Sequence, residues 1–196
     1  HKPAPAPTNG HPRPKGHRSL AGSRINRSGL SAGTLAPDFT LPRLKGGELA
    51  LAEYRGQPVV LVFSDPHCGP CEQLLPQLEA LHRRTPAVQV ILISRRGVEE
   101  NRQKVQKHGL TFPVVLQRSW EISRAYAMFG TPIGYLIDGE GRIAAEVAVG
   151  AEPILALLTQ AAGGNGKSST GEAGESVEPG KGSDGRKRVP VEAGGR

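Results

Sequence analysis

The chain has 196 residues, 37% of them apolar, and a formal charge of +7. That length suffices for one domain with a real core and is too short for two once the ends are discounted. Two cysteines are too few for a disulfide scaffold, and no run is long and apolar enough for a membrane span or a signal-peptide core.

The charge is unevenly placed. Residues 1–33 hold six Lys or Arg, no acid, five prolines and no aromatic residue, whereas 34–162 is neutral overall. A nucleic-acid surface would carry its charge on a folded face with aromatics for stacking, so nucleic acid is not an expected partner. Residues 1–33 are expected to be a disordered basic, Pro-rich arm or linker, and 163–196, with ten glycines, a disordered Gly-rich tail. The chain begins at His1, which suggests a processed chain or an excised fragment whose targeting segment or membrane tether lies upstream.

Between these ends, Phe39 and Leu41 alternate with polar neighbours as in a half-buried strand, Lys45-Gly46-Gly47 makes a turn, and 48–51 returns. Val59 to Phe63 is a continuous apolar run with β-branched residues, the pattern of a strand covered on both faces. From Pro70 to Arg84 the period changes: Leu74, Leu75, Leu78 and Leu81 form one helical stripe, with Pro76 inside it. A second buried strand spans 88–93. Strand, helix, strand implies a right-handed crossover and parallel pairing. A polar helix follows over 97–108, ended by Gly109. Then come a strand at 114–116, a helix from Ser119 to Met128, a hairpin of 133–137 with 142–147 turning at Asp138-Gly139-Glu140-Gly141, and a closing helix over 152–161. The fold class is α/β, with a mixed central sheet flanked by helices and an extra N-terminal β-hairpin.

The chemistry lies in Phe63-Ser64-Asp65-Pro66-His67-Cys68-Gly69-Pro70-Cys71, at a strand end that opens a helix. Residues three apart share a helix face, so the two sulfurs can meet. Free amides and the helix dipole favour a negative sulfur on Cys68, which makes it the attacking thiol and Cys71 the resolving one. His67 is the neighbour best placed to tune the couple, and Asp65 fits a turn before Pro66. A C-x-x-C pair closes too small a loop to be worth much as a staple. A structural zinc site would need a second such pair, so neither metal nor cofactor is expected.

Cys68-Gly69-Pro70-Cys71 resembles the thioredoxin active site. The longer pattern is similar to bacterial extracytoplasmic thiol-disulfide oxidoreductases of the redoxin type, including cytochrome-c-maturation proteins and the thioredoxin-like accessory protein of methylamine dehydrogenase. The resemblance runs through Gly33-Thr34-Leu35-Ala36-Pro37-Asp38-Phe39-Thr40-Leu41, the segment from Leu51 to Phe63, Pro76, Thr131-Pro132, and Tyr135 to Ile143. It implies a thioredoxin fold over 34–162. It also implies exchange of disulfides with protein thiols or disulfides and with an unidentified upstream redox partner. The location implied is the periplasm or the extracytoplasmic face of the membrane, and a monomer is expected. Thr131 and Pro132 resemble the cis-proline loop that docks substrate opposite the cysteines. Departures are His67 where thioredoxin has tryptophan, Val62 where it has a buried aspartate, and Leu74 where many cytochrome-maturation members have a glutamate. Two other readings stay open: a binding or assembly module with a passive disulfide, and a peroxiredoxin-like thiol peroxidase, which shares the Ala-Pro-Asp-Phe opening but has a different surround for its cysteine.

Overall fold

A computed structural model describes residues 28–164. Five strands form the main sheet, in the spatial order β5 (Val114–Leu116), β4 (Gln89–Ser94), β3 (Val59–Phe63), β6 (Ile133–Ile137) and β7 (Ala148–Val149). At its centre β3 is buried along its whole length, runs parallel to β4 and antiparallel to β6. β5 extends the parallel side and the short β7 closes the other edge. The preceding β1 (Thr40–Pro42) and β2 (Glu48–Ala50) form the separate antiparallel hairpin expected from the sequence. The class is the expected one, α/β with a mixed sheet.

Alternation along β3 divides the core. Val60 and Val62 face one side, where Leu74, Leu75 and Leu78 of α1 (Gly69–Arg84) and Ile154, Leu157 and Leu158 of α4 (Ala151–Gly164) pack. Val105 of α2 (Val98–His108) joins this side. Val59, Leu61 and Phe63 face the other side, covered by Phe39, Leu41, Leu49, Leu51 and Tyr126. The longer helices therefore share one face. The hairpin, a 3-10 turn (Leu51–Tyr54) and the short α3 (Glu121–Ala125) cover the second.

Three elements differ from expectation. Residues 142–147 do not form the second arm of a hairpin: a single bridge joins Ile137 to Ile143, and β7 begins only at Ala148. Pairing with β6 is made only at the start of this segment, where the Asp138 N–H donates to the Arg142 carbonyl (2.9 Å) and the Ala144 N–H to the Leu136 carbonyl (2.8 Å); Ile143 turns its own backbone groups the other way, to the Gly33 N–H and the Thr34 carbonyl (both 2.8 Å). The helix expected over 119–128 is only five residues long. Ser119 does not cap it; instead the Glu121 carboxylate accepts the Arg118 and Ser119 amides at 2.7 and 2.8 Å, and Ala127, at φ +53°, ends the helical path. The folded chain also starts before residue 34. Gly29 is buried at φ +72°, where a Cβ would lie 2.5 Å from the Tyr135 hydroxyl, and Leu30 packs on the second core cluster. The remainder of the expected arm and almost all of the expected tail lie outside the described residues.

Candidate active site

β3 and β4 are parallel and in register, Phe63 opposite Ile93, so the loops that follow them emerge side by side. β6 is antiparallel, with Ile133 opposite Phe63, so the residues that precede it arrive at the same end. This register brings Cys68 to Thr131 across 63 positions of sequence: Cys68 Sγ lies 3.5 Å from the Thr131 carbonyl oxygen. The Thr131–Pro132 peptide bond is cis, and Pro132 is buried beside half-buried Thr131.

Cys68 is the N-cap of α1. Its sulfur accepts the Cys71 N–H at 3.1 Å, and its carbonyl begins the helix by accepting the Glu72 N–H at 3.1 Å. Pro70 falls in the first turn, where a missing N–H costs nothing. Cys68 and Cys71 are joined as a disulfide, with Cα atoms 5.2 Å apart. Cys71 is 2% exposed, whereas Cys68 is half-buried and Gly69 and Pro70 beside it are open to solvent. Cys68 is therefore the more accessible of the two residues.

The loop before Cys68 is held by Asp65, only 6% exposed. Asp65 Oδ1 accepts the His67 N–H at 2.9 Å, and the Asp65 carbonyl accepts the Cys68 N–H at 3.1 Å. Its carboxylate also meets Arg96 Nε at 2.7 Å and Arg95 Nη1 at 3.3 Å. Burial pushes this carboxyl up, but the Arg96 hydrogen bond, the His67 amide and the two arginine charges outweigh it and hold the group below the ordinary carboxylate range.

His67 points outward, 57% exposed, with Nε2 2.9 Å from Glu100 Oε1. Glu100 also accepts the Gly97 N–H at 3.0 Å at the start of α2, so one carboxylate links the residue before Cys68 to that helix. Between α1 and α2 runs a groove of about 420 Å³ that reaches Cys68, with Glu72, Lys104 and Lys107 on its walls. Glu72 takes Lys107 Nζ and His108 Nε2, each at 2.7 Å, and contacts Lys104. Val62 and Leu74, the two departures noted in the sequence, are fully buried among apolar side chains. Among the described residues no cluster of His, Cys, Asp and Glu could hold a metal ion.

The residues expected from the sequence, Cys68, Cys71, His67, Gly69, Pro70, Thr131 and Pro132, all lie at this end of the sheet. Sequence reasoning missed the arginine pair and Glu100. A signal for the arginines existed: in parallel strands the residues after Phe63 and after Ile93 must be neighbours, so Asp65 and Arg95-Arg96 fall together.

A mixed sheet whose central strand runs into a C-x-x-C helix cap, with a cis-proline loop facing the sulfurs, defines a thioredoxin-fold thiol-disulfide oxidoreductase. The chain belongs to the AhpC/TSA family, whose profile matches residues 32–146. It is 31% identical over 131 residues to the thiol-disulfide oxidoreductase ResA of Geobacillus thermodenitrificans, covering 65% of this chain and 75% of that protein. It is 31% identical over 128 residues to the methylamine utilization protein MauD of Paracoccus versutus, covering 65% and 64%. Among solved structures, the thioredoxin domain of a Bacteroides vulgatus thiol-disulfide oxidoreductase superposes with a TM-score of 0.61 at 23% identity, over 67% of this chain and 97% of that one, a likeness of fold.

Proposed function

We propose that this oxidoreductase exchanges disulfides with protein partners, with Cys68 as attacking thiol and Cys71 as resolving thiol. The observation that carries the reading is the asymmetry of the pair: Cys68 sits at the helix cap and is reachable, and Cys71 is buried. In the reducing direction the Cys68 thiolate attacks one sulfur of the partner's disulfide. That bond breaks, a mixed disulfide forms, and the partner's other sulfur leaves as a thiolate. Cys71, deprotonated, attacks Cys68 Sγ, forming the internal disulfide and releasing the second partner sulfur. Two electrons pass from the pair to the partner, and the reverse sequence oxidises a partner dithiol.

Thr131 and Pro132 serve as the docking edge in this reading. The support is the 3.5 Å approach of Cys68 Sγ to the Thr131 carbonyl, which puts the backbone of Thr131 within reach of an extended partner segment bound at that sulfur. Large apolar side chains stand exposed at the same end of the sheet: Phe129, 39% exposed, just before β6, and Val149, 56% exposed, opposite Ile133. They suit contact with a protein rather than a small polar disulfide. We infer an extracytoplasmic location from the resemblance of the motifs to the extracytoplasmic oxidoreductases, with an upstream redox partner restoring the couple.

Trapping tests the assignment of the sulfurs. Cys71→Ser should accumulate mixed disulfides with an unfolded, disulfide-bonded protein such as insulin, and Cys68→Ser should accumulate none. Equal trapping by both, or faster alkylation of Cys71 than of Cys68 in the reduced protein, would reverse the roles.

A further inference from the structure

We propose that Asp65 is a positioning residue for the exchange reaction: its carboxylate holds the turn that presents Cys68 and ties that turn, through Arg95, to the Trp120 side of the loop that carries Thr131. The proposal rests on the reading of Cys68 as the attacking sulfur.

The connections form a closed circuit around the reacting atom. Asp65 fixes the turn twice, by its side chain on the His67 amide and by its carbonyl on the Cys68 amide. Its second oxygen meets Arg95, whose guanidinium carbon lies 3.7 Å from the centroid of the Trp120 ring. Trp120 packs edge-on against Phe129, with centroids 6.1 Å apart. Phe129 lies two residues before Thr131, and the Thr131 carbonyl returns to Cys68 Sγ. The attacking sulfur and the docking edge are thus set relative to each other by a circuit in which Asp65, Arg95 and Trp120 act through other groups, while Phe129 is also open to a partner.

Arg96 supports the same carboxylate at a backbone cost. It adopts φ +68°, which a non-glycine residue enters only against steric resistance, and it donates Nε to Asp65 at 2.7 Å. Two arginines on one carboxylate also settle the local charge. Without them a buried anion three residues before Cys68 would oppose a thiolate there; with them the loop is neutral or better. The other titratable groups near Cys68 are His67, Glu72, Glu100, Lys104 and Lys107 on the groove walls; of these only His67 bonds Asp65, through its backbone N–H, and no side chain of the five pairs with it among the described residues.

Two kinds of variant separate position from charge. Asp65→Asn keeps an oxygen for the His67 amide and removes the charge. Asp65→Ala removes both. Arg96→Gln, on a side chain 41% exposed, removes one of the compensating charges and leaves Asp65 in place. Each is made in the full chain. The readouts are the exchange rate with insulin and with a neutral small disulfide, and the titration of each cysteine followed by mass-resolved alkylation. Asp65→Ala should slow exchange about tenfold with both substrates, because Cys68 itself is misplaced, and Asp65→Asn should restore most of that rate. The Cys68 thiolate midpoint should fall in Asp65→Asn and rise in Arg96→Gln, by about half a pH unit each way, or roughly threefold in alkylation rate below the midpoint. If Asp65→Ala does not fold, the opposite signs of the other two variants still decide. A lower melting temperature with unchanged exchange and unchanged midpoints would overturn the proposal and leave Asp65 a purely structural ion pair. Faster alkylation of Cys71 than of Cys68 in the unsubstituted protein is a separate outcome: it overturns the assignment of the sulfurs and this proposal with it.

Discussion

At the residue scale, the two cysteines are chemically alike and geometrically unlike. A sulfur at the cap of a helix receives an amide N–H and the dipole, and one turn further in it receives burial. The first condition stabilises a thiolate and the second delays it, so the order of events is built into three residues of spacing. Phe129 and Val149 follow a different logic. Exposed apolar area of that size at the site costs the free protein and returns on contact with a partner. Phe129→Ser with Val149→Ser should therefore lower kcat/KM for insulin about tenfold and leave exchange with a neutral small disulfide within twofold. An equal loss with both substrates would show that these side chains support the fold of the site rather than the partner.

At the scale of the elements, α1 is fixed at both ends by carboxylates. Near its start, Glu72 gathers Lys104, Lys107 and His108 from α2. Toward its end, buried Glu79 accepts the Thr111 N–H and hydroxyl at 2.9 and 2.7 Å and pairs with Arg83 at 2.6 Å. Glu79→Ala leaves the Thr111 groups without their acceptor and should cost about 2–3 kcal/mol in urea unfolding. Burial pushes the Glu79 carboxyl up, but Thr111 and Arg83 hold it below its ordinary value, as the arginines do for Asp65. Such a carboxyl stabilises the fold while ionised. Its contribution is complete above the unfolded value near ~4 and is lost as pH falls through the folded value. His82, edge-on to Phe112, is lowered mainly by burial. It favours the fold while neutral, so its contribution begins to fall below the unfolded value near ~6.5. Stability should therefore decline in two stages, shallow below about pH 6.5 and steeper below about pH 4. His108 is lowered too, by burial and then by Lys107 and Lys104, so His82→Leu should shrink the upper stage and leave the part due to His108, and an unchanged profile would refute the contribution of His82.

At the scale of the molecule, the segment before the family motif contributes to the fold. The Leu30 N–H donates to the Tyr135 hydroxyl at 3.2 Å, and that hydroxyl donates to the Tyr126 carbonyl at 2.6 Å. Tyr126 in turn donates to the Pro37 carbonyl at 2.9 Å. One chain of hydrogen bonds so joins residues 30, 37, 126 and 135. A protein trimmed to residues 28–164 should keep its cooperative melt and its exchange rate. Trimming on to residue 34 should cost about 1–3 kcal/mol, because it removes the Leu30 packing and the pairing of Gly33 with Ile143. Equal stability of the two trimmed forms would show that this segment contributes nothing.

The sequence by itself determined the elements whose signal is local. The short, β-branched apolar run at 59–63 reads as a covered strand, the leucines from 74 to 81 as one face of a helix, and the C-x-x-C pair at their junction as the opening of that helix. Gly109, at φ +59°, closed α2 where its position predicted. The Thr131-Pro132 loop was legible only by resemblance, because nothing local says which sulfur a proline will face. What needed the tertiary structure was every feature set by competition between distant partners. Residues 142–147 carry a strand pattern, yet they pair with β6 only as far as Ala144, and Ile143 bonds residues 33–34 on its other edge. Ser119 is a sound cap, yet Glu121 supplies the acceptor. Asp65 reads as an ordinary residue before a proline, and becomes a buried anion only when parallel pairing of β3 and β4 brings two arginines to it. Backbone preference acts over a few residues and can be read along the chain, whereas the charge and hydrogen-bond partners of a buried group depend on which strands pair.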